Sequence, residues 1–156
     1  MFDLRSITLA SGEQHREELP VTIPPFTIGG EEYRAEPETV PADFAVTRLR
    51  TGWVFDERFG ASVRGSCHRC LGEAVVDIGI EVREFHAFRP HPGAEEDMTC
   101  EYLRDDVLDT DRMAADALIL AMPVQVLCHE DCRGLCPTCG ADLNLGPCPH
   151  VAATTG

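Results

Sequence analysis

Seven of the eight cysteines fall into two groups whose spacing suits metal binding. Thiolate and imidazole are preferred ligands of Zn²⁺, and a short C-x-x-C turn lets two sulfur atoms face one ion. Two such pairs with further cysteines nearby therefore predict structural zinc, about two ions per chain. The candidate ligands are Cys67, Cys70, Cys128, Cys132, Cys136, Cys139, Cys148 and His150.

Two other uses of these cysteines compete with zinc. Disulfides need an oxidising compartment, but Met1–Arg5 leads into polar sequence without the basic and apolar regions of a secretory leader, so we expect a reduced, cytoplasmic setting. A redox C-x-x-C usually opens a helix, whereas Cys67 follows a strand-like segment and Pro137 interrupts the second pair. Both observations favour zinc. Cys100 stands apart and is predicted to be a small buried hydrophobe.

Charge narrows the choice of partner. The net charge is −14, and all 13 basic residues are arginines. Such a field repels polyanions at long range, so we expect a basic protein as partner rather than nucleic acid held non-specifically. No apolar run approaches the length needed to cross a bilayer, so we expect no membrane contact. Between Phe44 and Gly72, however, five arginines face only two acids, which allows a local RNA contact. These arginines are Arg48, Arg50, Arg58, Arg64 and Arg69.

Hydrophobic periodicity predicts an α+β fold, mainly antiparallel β with one amphipathic helix and a Cys-rich zinc-binding tail. Val76, Ile78, Ile80 and Val82 alternate with polar residues, which places the 67–70 knuckle at the turn between two strands. After Arg83 the apolar residues occupy the positions that were polar before it, which predicts a bulge or the end of burial. The predicted units are a β-rich domain over 1–126 and a tail over 127–156, packed on or joined to that knuckle.

Three further expectations concern single segments. Residues 4–10 and 26–28 are predicted as short strands, and 89–97 as a solvated loop. A helix of about twelve residues should begin at Asp109 or Thr110 and end at Pro123. Its buried face is predicted to hold Met113, Ala117, Leu120 and Ala121.

The motifs between Val63 and His150 resemble a known family. They are Cys67-His68-Arg69-Cys70-Leu71 after a strand, a helix-ending Pro123 before Cys128 and Cys132, and the run from Gly134 to Gly140 followed by Leu143-Asn144. This pattern is similar to the bacterial and plastid large ribosomal RNA subunit accumulation proteins, also called YceD-like. The resemblance implies a non-enzymatic factor for ribosome biogenesis that supports accumulation or processing of large-subunit (23S) ribosomal RNA.

The resemblance also bears on which ligands share a metal. Some family members carry the first two cysteine pairs without the tail motif, which favours one site of Cys67, Cys70, Cys128 and Cys132 and a second of Cys136, Cys139, Cys148 and His150. The family tail more often ends in cysteine where His150 stands. Spacing alone equally permits a zinc ribbon made of Cys67, Cys70, Cys136 and Cys139.

Enzymatic function finds little support in the sequence. Catalytic zinc usually keeps an open position among histidine and carboxylate ligands, whereas these sulfur-rich sets suit closed sites. The chain contains no nucleophile elbow, P-loop, dinucleotide fingerprint or H-E-x-x-H motif. The alternatives to a ribosome factor are a zinc-stabilised protein-interaction module and a thiol- or zinc-dependent enzyme.

Overall fold

The structure is a computed structural model, and it describes residues 1–89 and 98–150. In chain order these residues form β1 (Phe2–Asp3), a short 3-10 helix (Leu4–Ser6), β2 (Gln14–Thr22), β3 (Phe26–Ile28), β4 (Glu31–Ala35), β5 (Thr39–Arg48), β6 (Gly52–Ser66), β7 (Glu73–Ala87), β8 (Leu103–Arg104), β9 (Val107–Leu108) and α1 (Thr110–Ala121). The predicted loop over 89–97 lies almost entirely outside them.

The main sheet is organised around β6. This strand pairs with β7 along its whole length, while β5 and β4 share its opposite edge and β2 and β3 extend the sheet beyond them. A smaller sheet contains β1, β9 and β8, and every pairing in both sheets is antiparallel. The predicted α+β fold, mainly antiparallel with one α-helix among the described residues, is confirmed.

The long β6–β7 hairpin carries the first cysteine pair at its tip. Its register is constant from Gly52↔Ala87 to Ser66↔Glu73, so the predicted bulge after Arg83 is wrong. The change in the apolar pattern beyond Arg83 comes from packing between the two strands, because the Phe85 ring lies against Gly52 on β6. At the tip, the Cys67 N–H donates to the Gly72 carbonyl at 2.7 Å, and the C-x-x-C segment forms the turn as predicted.

Helix α1 covers one face of the sheet. Asp109 is its N-cap and accepts a hydrogen bond from the Arg112 N–H, as predicted, and the helix stops just before Pro123. Its buried residues are Thr110, Met113, Ala114 and Leu118, whereas Leu120 is 86% exposed. The predicted face is therefore wrong at Leu120 and at Ala121, which is also exposed, because the stripe that packs on the sheet is rotated around the helix axis.

The first forty residues contain more strand than their composition predicts. Residues 4–10 begin as a 3-10 helix instead of a strand, since the Asp3 carboxylate accepts from the Arg5 N–H and starts a turn. The nine-residue β2 has no clear apolar alternation because it is an edge strand whose inward face is only partly buried over most of its length and carries His15 and Glu17. Pro20 fits there, where one row of backbone N–H groups needs no partner. The predicted strand over 26–28 is confirmed as β3.

Candidate metal centres

The first candidate centre joins the hairpin tip to the chain that follows α1. The Sγ atoms of Cys67, Cys70, Cys128 and Cys132 all lie within 4.8 Å of one another. Cys67 and Cys132 are 3.7 Å apart, and Cys70 and Cys128 are 3.6 Å apart. A tetrahedron with zinc–sulfur bonds of about 2.3 Å requires sulfur atoms roughly 3.8 Å apart, so this spacing fits zinc. It excludes disulfides, whose sulfurs are about 2 Å apart.

Backbone donors favour the thiolate form of the first cysteine in each C-x-x-C. Burial alone would raise the pKa of Cys67, but hydrogen bonds from the N–H groups of Cys70, Arg69 and Cys128 outweigh it and lower the pKa to about 6. In the tail, the Cys139 and Thr138 N–H groups lower the pKa of Cys136 to about 6. Each turn thus stabilises a thiolate, the form that binds a metal ion.

The second candidate centre lies wholly within the tail. Ligand atoms of Cys136, Cys139, Cys148 and His150 also fall within 4.8 Å of one another. Leu135 and Asp142 form a β-bridge that closes the Cys136–Cys139 turn, and Gly140 takes a φ of 71° there. Cys136 and Cys148 are buried with Leu143 in a small separate core, while Cys139 and His150 are exposed.

The structure thus groups the eight predicted ligand residues into two sets of four. In the described part of the chain the two sets share no member, so Cys136 and Cys139 do not join Cys67 and Cys70 as the ribbon arrangement requires. Cys100 lies in another part of the core, packed near Phe2 and Phe44. His68 and His129 are exposed beside ligands and belong to neither set.

The tail packs directly against the first knuckle. The Leu135 N–H donates to the Arg69 carbonyl at 3.2 Å, and the Arg69 guanidinium donates to the Cys132 carbonyl at 2.9 Å. Gly134 allows this approach, since a Cβ there would lie 2.9 Å from the Arg69 oxygen. Cys67 and Cys132 also belong to the main hydrophobic core, so the first centre is built into the domain.

Two of the five arginines in the predicted basic stretch are neutralised by acids on neighbouring strands or turns. Arg58 pairs with Glu81 at 2.6 Å, and Arg64 pairs with both Glu36 and Glu73. Arg48 stacks on Trp53, its guanidinium carbon 5.7 Å from the ring centroid, and donates to the Leu9 carbonyl. Arg50 is exposed beside it at the β5–β6 turn.

Sequence reasoning missed two polar residues. Asn144 lies between the two centres, and the only signal for it was its place in the family motif. Glu57 is fully buried on the inner face of β6, and both of its carboxylate oxygens lack a hydrogen-bond partner within the described residues. Glu57 has the same period-two phase as Phe55, Phe59 and Ala61, so alternation could have placed it on the buried face, but a carboxylate is rarely expected there.

The fold and the two candidate centres define a small, mainly antiparallel β protein with a Cys-rich tail whose side chains are spaced so that they could hold a metal ion. The model of the family described as "Large ribosomal RNA subunit accumulation protein YceD" matches residues 56–155, and the chain belongs to this family. The resemblance stated from the motifs is confirmed.

Relatives occur among mycobacterial proteins. Uncharacterized proteins of Mycobacterium tuberculosis (Rv2926c) and Mycobacterium bovis (Mb2951c) are each 29% identical over 110 residues, covering 67% of this chain and 52% of theirs. A Mycobacterium leprae protein (ML1660) is 26% identical over 84 residues, covering 52% of this chain and 38% of its own. This chain therefore matches about half the length of these relatives.

No solved structure matches it significantly. None of the described helices is long and apolar enough to cross a bilayer.

Proposed function

We propose that this protein is a non-enzymatic zinc-binding factor for ribosome biogenesis that supports accumulation or processing of large-subunit (23S) ribosomal RNA. The observation that carries the proposal is membership of a family described by this role, combined with a four-cysteine cluster spaced for tetrahedral zinc. The role of the metal is structural, because the ligand sets are sulfur-rich and closed.

Zinc in this proposal joins two units, a β-rich domain over 1–126 and a tail over 127–156. The first ion fastens the segment after α1 to the β6–β7 turn, and the second orders the tail. Ion binding of this kind contributes roughly 10 to 16 kcal/mol in small zinc-finger peptides. That amount is enough to order a segment whose own core is Cys136, Leu143 and Cys148.

The partner in this proposal is a basic ribosomal protein or assembly factor. A net charge of −14 favours a positively charged partner and raises association rates with it. Arg58 and Arg64 are paired with acids, which leaves Arg48 and Arg50 as the main basic contribution near the β5–β6 turn. Two exposed arginines provide a small and salt-sensitive footprint for RNA.

Metal analysis of the purified protein tests the proposed zinc binding. We expect about two zinc ions per chain without added metal, and about one after Cys139→Ala or Cys128→Ala. Unchanged zinc content in either variant with zinc in excess, or a wild type without zinc after gentle handling, would contradict the two-centre arrangement.

Ribosomal profiles test the cellular role. In cells that lack the endogenous gene, we expect a reduced ratio of 23S to 16S ribosomal RNA, restored by the wild-type chain but not by Cys67→Ser. Crosslinking with joint recovery of protein and RNA then separates the partners. If Arg48→Ser/Arg50→Ser stays folded, keeps zinc and retains its protein partner but loses crosslinked RNA, direct RNA contact replaces the basic-protein proposal. An unchanged 23S to 16S ratio in the deletion would remove the ribosomal role.

A further inference from the structure

Asn144 is the one side chain in the described residues that bonds to a ligand sulfur from outside both ligand sets. Its Nδ2 donates to the Cys132 Sγ at 3.5 Å, and its Oδ1 accepts from the Arg133 N–H at 2.8 Å. The same Nδ2 donates to the Asp142 carboxylate at 2.8 Å. These partners fix the orientation of the amide, because a backbone N–H must meet the oxygen and a carboxylate must meet the NH₂ group.

Asn144 is held in this position by the tail. Its own N–H donates to the Asp142 carboxylate at 2.9 Å, and the Leu143 N–H donates to the Gly134 carbonyl at 2.9 Å. Asp142 in turn forms the bridge with Leu135 that closes the turn carrying Cys136 and Cys139. A continuous set of hydrogen bonds therefore runs from the ligands of the tail centre to a ligand of the first centre.

The contact has a direct chemical effect. A hydrogen bond to a ligating thiolate offsets part of its negative charge, which matters where four thiolates share one dication. Cys132 is only 2% exposed, so water cannot readily replace a lost donor. Arg69 provides a second, weaker link that does not touch a ligand sulfur: its guanidinium donates to the Cys132 carbonyl, and its own carbonyl accepts from the Leu135 N–H of the tail.

We propose that Asn144 couples the two centres, so that metal binding in the tail tightens metal binding at the first centre. The inference rests on the proposed zinc binding and adds that the two ions bind cooperatively through a positioning residue. By reciprocity, metal at the first centre tightens the tail by the same factor. Changes to outer partners of metal ligands typically weaken metal affinity by about 10- to 100-fold.

The test uses Co²⁺ titration of the full chain in competition with a chelator. The visible bands of Co²⁺ differ between an all-sulfur ligand set and one with three sulfurs and a nitrogen, so both centres are followed separately. We expect Asn144→Ala to lower the Co²⁺ affinity of the all-sulfur centre by about 10- to 100-fold. The exposed neighbour provides a matched control, and Leu145→Ala should leave both affinities unchanged.

A double-mutant cycle makes the test specific. Cys139→Ala should lower the metal affinity of the all-sulfur centre in the wild-type background, and should lower it much less when Asn144 is already alanine. The three-sulfur band, if retained in Asn144→Ala, shows that the tail still folds. Unchanged affinity of the all-sulfur centre in Asn144→Ala, or additive effects in the cycle, would overturn the coupling alone. Failure of the wild type to bind Co²⁺ or Zn²⁺ would instead overturn the proposed zinc binding.

Discussion

Glu57 should make the stability of the domain fall as pH rises. Its side chain is fully buried between Phe55 and Phe59 on β6, and it has no hydrogen-bond partner within the described residues. Burial, and secondarily the negative charge of Asp111 on α1, raise the pKa of Glu57 to about 8, against a weaker opposing effect of the terminal amino group of Met1.

The direction and the size of this change in stability follow from the linkage between proton binding and folding. The folded-state pKa lies above the unfolded value of 4.5, so the folded state binds the proton more tightly. The stability associated with the protonated carboxyl is complete below pH 4.5 and is lost as pH rises through about 8. Each pKa unit corresponds to about 1.4 kcal/mol, so the full loss is about 5 kcal/mol.

Glu57→Gln keeps the shape of the side chain and cannot ionise. The free energy of unfolding of both proteins is measured by urea unfolding with zinc in excess. We expect the value of the variant minus that of the wild type to be about 3 kcal/mol larger near pH 9 than near pH 5.5. Thiolate protonation affects both proteins equally and cancels in this difference. Glu18→Gln, an exposed carboxyl on β2, is the control and should show no such trend. A Glu57→Gln effect that does not change with pH would refute the reasoning.

Two further predictions concern packing and the unused cysteine. A Cβ at Gly65 would lie 2.1 Å from Cδ1 of Tyr33, so Gly65→Ala should cost about 1 to 3 kcal/mol in urea unfolding, whereas Gly79→Ala, with open space around it, should cost nothing. Equal effects of these two substitutions would contradict the Tyr33 contact. Cys100 is buried away from both centres, so Cys100→Ala should keep the zinc content of the wild type in metal analysis. A lost ion would place Cys100 among the ligands.

The sequence predicted elements whose signals are local. The C-x-x-C turn at the end of the β6–β7 hairpin, the Asp109 N-cap and the stop before Pro123 each depend on a few adjacent residues. The edge strand β2 and the exposure of Leu120 depend on tertiary packing, which decides what faces the sheet. Glu57 illustrates the same limit, because its phase in β6 matches the buried Phe55 and Phe59 whereas its carboxylate argues against burial, and only the tertiary structure decides between the two signals.

The division into two ligand sets has a physical origin in the chain after α1. Beyond Ala121 the described residues form no further helix or strand, only the isolated Leu135–Asp142 bridge. Backbone pairing therefore cannot hold this segment on the domain. Val126, which is buried, accepts a hydrogen bond from the His68 N–H through its carbonyl at 2.7 Å and brings Cys128 to the hairpin tip. Cys132 then completes the first set inside the main core, and the remaining ligands must close around a core of their own. Six of the eight candidate ligands thus lie in a segment that has neither helix nor strand among its described residues and only a small core of its own.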